Sequence, residues 1–189
     1  GGLRCTGVVV RTPQGEVTVS ARREVVLSAG AIGSPQILQL SGIGPGALLQ
    51  RHGITPVHDL AGVGENLQDH LQIRAVFKVQ GVTTLNTRAA TPWGKAAIGL
   101  EYLLRRSGPM SMSPSQLGAF ATSSPGRDWA NVEYHVQPLS LPAFGEPLDQ
   151  ADAFTASVCN LNPSARGHVR IASADPAAAP RIAPNYLST

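Results

Sequence analysis

Aromatic residues, cysteines and charged residues are all scarce in this sequence. Aromatic residues make up 5% of the 189 positions and charged residues 14%, against 42% hydrophobic residues. The hydrophobic share excludes an intrinsically disordered chain, because such chains carry too few apolar side chains to form a core. A core that is poor in aromatic rings must be built from Val, Leu, Ile and Ala, and the length suffices for one ordinary domain or two small ones.

The sequence has neither a strong charge nor a long apolar run. Its net charge is +3, from 15 basic and 12 acidic residues, which is too weak and too scattered to predict a nucleic-acid partner. No apolar run reaches the roughly 20 residues of a membrane-spanning helix, and no signal peptide opens the chain. We therefore predict no transmembrane segment and a cytoplasmic location, and leave open a peripheral membrane association of the full protein.

The two cysteines, Cys5 and Cys159, lie far apart and follow no metal-binding spacing. This pattern favours a reducing compartment over a disulfide framework. His52, His58 and His168 also lack sequence neighbours that would suggest a metal site or a catalytic site, so the sequence predicts no metal site. No Gly-x-Ser-x-Gly motif is present, and this gives no support to a serine hydrolase.

The first 28 residues predict three short strands. Residues 4–20 are typical of a hairpin, because Pro13 and Gly15 supply turn chemistry between two segments that alternate as strands do. Residues 24–28 carry a continuous apolar run, which predicts a strand that is buried on both faces.

Two short helices are predicted after this strand. Ser34 is the expected N-cap of the first, with Pro35 at its first helical position and Gly42 after its end. The second is expected within residues 44–53, between a Gly-Pro pair and a glycine.

From residue 70 onwards the sequence changes to alternating segments. "LQIRAVFKV", "ANVEYHVQP", "FTASVCNL" and "GHVRIAS" predict strands of a mainly antiparallel sheet, and residues 93–106 predict an amphipathic helix. The predicted fold is therefore α/β plus α+β, with a boundary near residue 70.

The predicted strand at residues 24–28 ends in side chains of very small volume, Ser28, Ala29, Gly30 and Ala31. Small residues before a helix N-terminus let a dinucleotide approach the backbone, and the free N–H groups of the helix favour an anion. Tight packing of strand against helix explains the same residues equally well. The residues by themselves leave both explanations open.

Three segments together resemble the glucose-methanol-choline (GMC) family of flavin oxidoreductases, and "GPMSMSPSQLGAF" at 108–120 and "NVEYHVQPLSL" at 131–141 resemble its choline-dehydrogenase-like members in particular. The three segments are "GAIGSPQILQLSGIG" at 30–44, "DLAGVGENLQDH" at 59–70 and "NPSARGHVRIASADPAAAPRIAPNYLST" at 162–189. The chain departs from the family pattern at Ala165, where a serine is usual. It also lacks the Gly-x-Gly-x-x-Gly unit and the segment with the catalytic histidine, so we expect it to be an internal fragment.

The resemblance implies a domain organisation. Residues 1–69 would be part of a Rossmann-like FAD-binding domain with its connecting loop, residues 70–170 would form a substrate-binding domain, and residues 171–189 would return toward the FAD domain. The implied cofactor-binding residues are Ser28, Ala29, Gly30, Ala31, Ser34 and Pro35.

The resemblance also implies a function for the full protein: oxidation of the CH–OH group of choline or another primary alcohol, with hydride transfer to the flavin N5. The electron acceptor would be oxygen or a quinone, and the catalytic base would lie outside this sequence. We expect the isolated chain to be inactive and to bind FAD weakly or not at all. The alternative is a non-enzymatic binding module, or a pseudo-enzyme, without flavin.

Four polar residues are candidates for a chemical role, and each also has a structural explanation. His135 shares one face of its predicted strand with Glu133 and Gln137, which favours a solvent-facing surface; the alternative is a position near the substrate hydroxyl. Asn66, Asp69 and His70 end a loop in which such residues ordinarily bond to nearby backbone. We favour a structural role for these three over a chemical one.

Overall fold

The computed structural model describes residues 4–143 and 145–188. They form two compact units. Unit 1 contains the described residues of 1–69 and 164–189, and unit 2 contains those of 70–163. In chain order the elements are β1 (Gly7–Thr12), β2 (Gly15–Ser20), α1 (Gly30–Leu40), β3 (Ile43–Gly44), α2 (Gly46–Arg51), β4 (His58–Asp59), β5 (Glu65–Leu67), β6 (Gln72–Lys78), α3 (Leu85–Arg88), α4 (Pro92–Arg105), a 3₁₀ turn (Pro109–Ser111), β7 (Leu117–Ala121), β8 (Val132–Gln137), β9 (Ala153–Asn160), β10 (Gly167–Arg170) and β11 (Arg181–Ala183).

The predicted N-terminal hairpin is confirmed. Strands β1 and β2 pair antiparallel, from Gly7 opposite Ser20 to Thr12 opposite Gly15. Gly15 has a φ of 122°, which a residue with a side chain rarely adopts. The glycine therefore fixes the position of the turn.

The predicted strand at residues 24–28 is wrong for the described chain. These residues form no regular element, and none of the described strands pairs with them. The segment is not buried either, since Val26 is 77% exposed. An apolar run supplies the propensity for a strand, but a strand forms only beside a partner that accepts its hydrogen bonds.

Helix α1 begins at Gly30, four residues before the predicted N-cap Ser34. The Ser34 hydroxyl accepts a hydrogen bond of 3.0 Å from the backbone N–H of Ala29. It therefore closes the first turn from inside the helix, and Pro35 also lies within the helix. The predicted end is confirmed, since α1 stops at Leu40 and Gly42 follows with a φ of 84°.

The core of unit 1 lies between α2 and the residues after β10. Leu48, Leu49 and Ile171 are buried together, with Leu40 and Ile54 packed against them. All of these side chains are aliphatic, as the scarcity of aromatic residues predicts.

A buried glutamine connects α1 to the rest of unit 1. Gln39 is fully buried, and its Nε2 donates to the carbonyl oxygens of Val63 and Val169 at 3.1 and 3.0 Å. Its Oε1 accepts from the backbone N–H of Ile171 at 2.8 Å. One side chain therefore joins the helix to the chain before β5 and to the β10 region.

Strand β10 is the middle strand of a small antiparallel sheet in the order β11-β10-β5. The sequence predicted β10 correctly as a strand but assigned residues 164–170 to the same part of the chain as residues 70–163. In the structure they belong to unit 1. The physical reason is the pairing of β10 with β11 and with β5, where Gly167 lies opposite Leu67, a residue 100 positions earlier in the chain.

Unit 2 is built on a four-stranded antiparallel sheet in the order β6-β9-β8-β7. In this register Gln72 and Glu133 both lie opposite Cys159, and His135 lies opposite Ser157. Directly opposed residues of antiparallel strands share a face, so these side chains lie on one face of the sheet. The predicted strands of this region are confirmed.

The predicted amphipathic helix at residues 93–106 is confirmed as α4. Ile98 is its buried residue, whereas Leu103 is 67% exposed. Arg106 ends the helix in the left-handed conformation, with a φ of 52°. Across the described residues, no helix combines the length and the apolar character needed to cross a membrane.

Candidate functional site

The candidate site is a cleft of about 340 Å³ in unit 1, between α1 and the segment that contains β5. One wall is formed by α1 and the other by the chain from Val63 to Gln68. The lining residues are Ala31, Ser34, Pro35, Leu38, Val63, Gly64, Glu65, Asn66, Leu67, Gln68 and Val169.

Three of the six residues that the sequence singled out line this cleft, namely Ala31, Ser34 and Pro35. Their small side chains leave room near the start of α1. The other three, Ser28, Ala29 and Gly30, come just before them in the chain and are exposed. Both explanations of their small size, cofactor approach and tight packing, therefore stay open.

The N-terminus of α1 adds a favourable environment for negative charge. Within the described residues, no side chain caps this helix, and its first turn holds no acidic residue. The N–H groups of a first helical turn have no partner inside the helix, and the helix dipole places partial positive charge there. This end of the cleft therefore suits a phosphate or another anionic group.

Ser34 contributes a directed polar group to the cleft wall. Its hydroxyl oxygen already accepts from the backbone N–H of Ala29, and a hydroxyl also carries one hydrogen to donate. Ser34 can therefore donate to an acceptor in the cleft while its oxygen keeps the helix start in place.

The opposite wall depends on backbone conformations that the sequence did not reveal. Gly64 has a φ of 85° and Asn66 a φ of 62°. A side chain on Gly64 would have its Cβ 2.1 Å from the carbonyl oxygen of Val169. The glycine is therefore required for the close approach that places this wall. The sequence signal for this wall is the "GVGEN" run at residues 62–66, which by itself predicts a loop.

Asp69, near the end of this segment, has a partner within unit 1. The Tyr186 hydroxyl donates to the Asp69 carboxylate, and this hydrogen bond to the carboxylate raises the pKa of Tyr186. The contact joins the end of the cleft wall to the C-terminal part of unit 1, as a structural role for Asp69 requires.

His135 lies in unit 2, on the central strand β8. Its Nε2 lies 3.2 Å from Glu133 Oε1, and the two side chains are 36% and 18% exposed. The face that we expected to be open to solvent is therefore partly covered, at least at Glu133. The role of His135 near the substrate stays a prediction.

Comparison with known proteins shows a family and several enzymes whose sequences this chain resembles. Residues 1–72 match the model of the family described as GMC oxidoreductase. An oxygen-dependent choline dehydrogenase from Vibrio vulnificus is 42% identical over 173 residues, which cover 91% of this chain and 30% of that protein. The Pseudomonas putida (strain KT2440) protein of the same description is 37% identical over 190 residues, covering all of this chain and 34% of that protein. The chain thus spans about a third of the length of these relatives.

Solved structures of oxidases share the fold. A formate oxidase has a TM-score of 0.85 at 28% identity, over 98% of this chain and 37% of that one. A variant of formate oxidase from Aspergillus oryzae, studied for the effect of a mutation on FAD modification, has a TM-score of 0.86 at 27% identity with the same coverage. The pyridoxine 4-oxidase of Mesorbium loti has a TM-score of 0.75 at 24% identity, over 100% of this chain and 33% of that one, and shows the fold alone.

Proposed function

Because this chain belongs to the glucose-methanol-choline (GMC) oxidoreductase family, we propose that it is part of an FAD-dependent enzyme that oxidises the CH–OH group of an alcohol. The observation that carries the proposal is the cleft of unit 1. It joins the small residues Ala31, Ser34 and Pro35 to an uncapped helix N-terminus, and both features suit a dinucleotide.

The residues of the cleft fit part of FAD. Ala31 and Pro35 leave space, Ser34 can donate a hydrogen bond, and the first N–H groups of α1 favour a phosphate oxygen. Exposed Ser28, Ala29 and Gly30 extend this surface along the chain. A volume of about 340 Å³ is near the lower end for small-molecule sites, so we expect the rest of the cofactor to be held by other parts of the full protein. The isolated chain is then a weak FAD binder.

We further propose that unit 1 belongs to a Rossmann-like FAD-binding domain of the full protein. Residues 24–28 form no strand in the described chain. Their apolar run leads directly into α1 and is exposed at Val26, so it offers an apolar surface to the rest of that domain.

The two units take different roles in this proposal. Unit 1 belongs to the FAD-binding domain and unit 2 is the substrate-binding domain. The antiparallel sheet of unit 2 carries His135, which we propose as a substrate-side residue. The catalytic base lies outside the residues of this chain.

The names of the relatives guide the choice of substrate and acceptor. We propose choline or another primary alcohol as the substrate and oxygen as the acceptor, with a quinone as the alternative. Bound FAD would supply the two-electron acceptor for the oxidation. The residues of this chain would bind and orient it through the start of α1.

The test uses the full protein encoded by the reading frame that contains this chain. We expect purified protein to carry stoichiometric FAD, and anaerobic addition of choline or another primary alcohol to bleach the flavin absorbance. Oxygen consumption with the same alcohols identifies the acceptor. A full protein that is folded and binds no FAD would overturn the proposal and would support the non-enzymatic alternative.

A pair of matched variants tests the cleft itself. Ala31→Leu fills the cleft at the start of α1, and we expect it to weaken FAD binding at least about tenfold, which corresponds to about 1.4 kcal/mol. Ala47→Leu makes the same change at an exposed position of α2 and should leave the affinity unchanged. Equal FAD affinity in both variants would contradict a cofactor site in this cleft, even if the enzyme is active.

A further inference from the structure

Three side chains in unit 2 form a cluster that the proposed oxidation does not use. His70, Glu133 and Cys159 each offer one potential ligand atom, and these atoms all lie within 4.8 Å of one another. They come from the residue before β6, from β8 and from β9, so the sheet brings together residues that are far apart in sequence.

The pairing of two strands fixes half of this cluster. Glu133 and Cys159 lie directly opposite each other, and Cys159 Sγ donates to Glu133 Oε2 at 3.7 Å. In a tetrahedral zinc site, Zn–S and Zn–O bonds of about 2.3 and 2.1 Å place sulfur and oxygen about 3.6 Å apart. The observed separation therefore suits two ligands of one ion with little movement.

The third ligand is oriented by the backbone. His70 Nε2 lies 3.1 Å from the carbonyl oxygen of Leu161, and the N–H of Leu161 donates to the carbonyl oxygen of Asn131 at 3.0 Å. With the proton on Nε2, the lone pair of the imidazole is on Nδ1. Histidine ligands of metal ions commonly make this kind of contact through the other ring nitrogen.

The carboxylate ligand has an outer partner as well. The second oxygen of Glu133, Oε1, lies 3.2 Å from His135 Nε2, which leaves Oε2 toward Cys159. Ligating carboxylates in metal sites are usually held in this way by a neighbouring group. His135 is therefore a positioning residue for the cluster.

The cluster brings a buried sulfur next to a carboxylate. Cys159 is 3% exposed, and its Sγ lies 3.7 Å from Glu133 Oε2. A divalent ion would compensate a thiolate beside a carboxylate, and metal coordination deprotonates a thiol. His70 is exposed, so an ion can reach the cluster from solvent.

We propose that His70, Glu133 and Cys159 bind a divalent transition-metal ion, with zinc as the best fit. Imidazole nitrogen, carboxylate oxygen and thiolate sulfur are the zinc ligands of proteins, and three of them leave a fourth position for water. The thiolate and imidazole disfavour magnesium and calcium, which prefer oxygen ligands.

The test measures zinc bound to the full protein after chelator treatment and dialysis against zinc, with cobalt as a spectroscopic probe. We expect stoichiometric zinc by elemental analysis. We also expect a thiolate-to-cobalt charge-transfer band in the difference spectrum before and after cobalt addition. A folded wild-type protein that retains no zinc would overturn the proposal.

Matched variants assign the ligands. Cys159→Ser should remove the charge-transfer band, whereas Cys5→Ser, at the exposed cysteine of unit 1, should keep it. His70→Gln changes an exposed side chain and should weaken zinc binding by more than the roughly 10 to 100-fold loss that follows removal of a hydrogen-bond partner of a ligand. His58→Gln is its exposed control. Zinc affinity that is the same in His70→Gln and His58→Gln would overturn the assignment, whatever the stability of the cysteine variant.

Discussion

Gln39 accepts a hydrogen bond of 2.8 Å from the backbone N–H of Ile171, 132 residues further along the chain. The same side chain donates to the carbonyl oxygens of Val63 and Val169. Gln39 and Ile171 are both buried, so water cannot replace these bonds. The position of α1, and with it one wall of the candidate cleft, depends on this single amide.

We expect Gln39→Leu to destabilise the protein by about 3 kcal/mol, because two carbonyl oxygens and one N–H would be left buried without partners. Chemical denaturation followed by circular dichroism measures the change. Gln36→Leu is the control, since Gln36 makes a single partly buried bond to the carbonyl oxygen of Ala178 at 2.9 Å and should cost about 1 kcal/mol. Equal losses in the two variants would contradict the role assigned to Gln39.

Gly64→Ala should also destabilise unit 1, by about 3 kcal/mol, because an added Cβ would collide with backbone. Its Cβ would lie 2.1 Å from the carbonyl oxygen of Val169 and 2.5 Å from Gln39 Nε2, at a φ of 85°. Gly62→Ala, two residues earlier, has no atom within 4 Å of the added Cβ and should be nearly neutral. The difference in unfolding midpoint between the two variants is the measurement. If the Gly64→Ala protein is as stable as Gly62→Ala, Gly64 does not lie as close to the carbonyl oxygen of Val169 as the structure places it.

The ionised carboxylate of Asp152 should stabilise unit 2, so unit 2 should lose stability when acid protonates this residue. Its Oδ1 accepts from the Thr87 hydroxyl at 2.6 Å and from the Thr84 N–H at 2.6 Å, and these bonds lower the pKa of Asp152. A folded-state pKa below the unfolded value gives stability that is present above about pH 4 and is lost as the pH falls through the folded-state pKa.

The measurement for Asp152 is the free energy of unfolding as a function of pH. Asp152→Asn keeps an oxygen acceptor but cannot titrate, so its stability should fall less between neutral pH and pH 3 than that of the wild type. Asp128→Asn, at an exposed position, should follow the wild-type curve. If Asp152→Asn loses as much stability in acid as the wild type, the hydrogen bonds to Thr84 and Thr87 do not stabilise the ionised form.

The two cysteines should differ in their reaction with iodoacetamide. Cys5 is exposed and Cys159 is buried, and burial beside Glu133 raises the pKa of the Cys159 thiol. Alkylation requires an accessible thiolate, so we expect Cys159 to react at least about tenfold more slowly in chelator-treated protein. Mass spectrometry of the two peptides gives the rates, and the same reaction in denaturant should abolish the difference. Similar alkylation rates for the two cysteines in the folded protein would show that the Cys159 thiol is more accessible to solvent than its burial in the structure indicates.

The sequence predicted residues of one wall of the candidate cleft, the wall formed by α1. It did not predict the residues of the opposite wall. Ala31, Ser34 and Pro35 carry a local signal, since small residues beside a Ser-Pro pair indicate a helix in this region, although α1 begins four residues before Ser34. The opposite wall, at Val63 and Gly64, has no such signal, because it is placed by the bonds of Gln39 and by the pairing of β5 with β10. The cluster of His70, Glu133 and Cys159 was missed for the same reason: its members are neighbours only in the sheet.

The sequence by itself determined the elements whose periodicity or turn chemistry is local. These are the N-terminal hairpin, the helix that ends before Gly42, α4, and the alternating strands β6, β8 and β9. The tertiary structure decided which of these elements pair and which side chains meet. The apolar run at residues 24–28 shows the physical reason, since side chains give a segment its preference for a strand, whereas the hydrogen bonds that make it a strand come from distant parts of the chain.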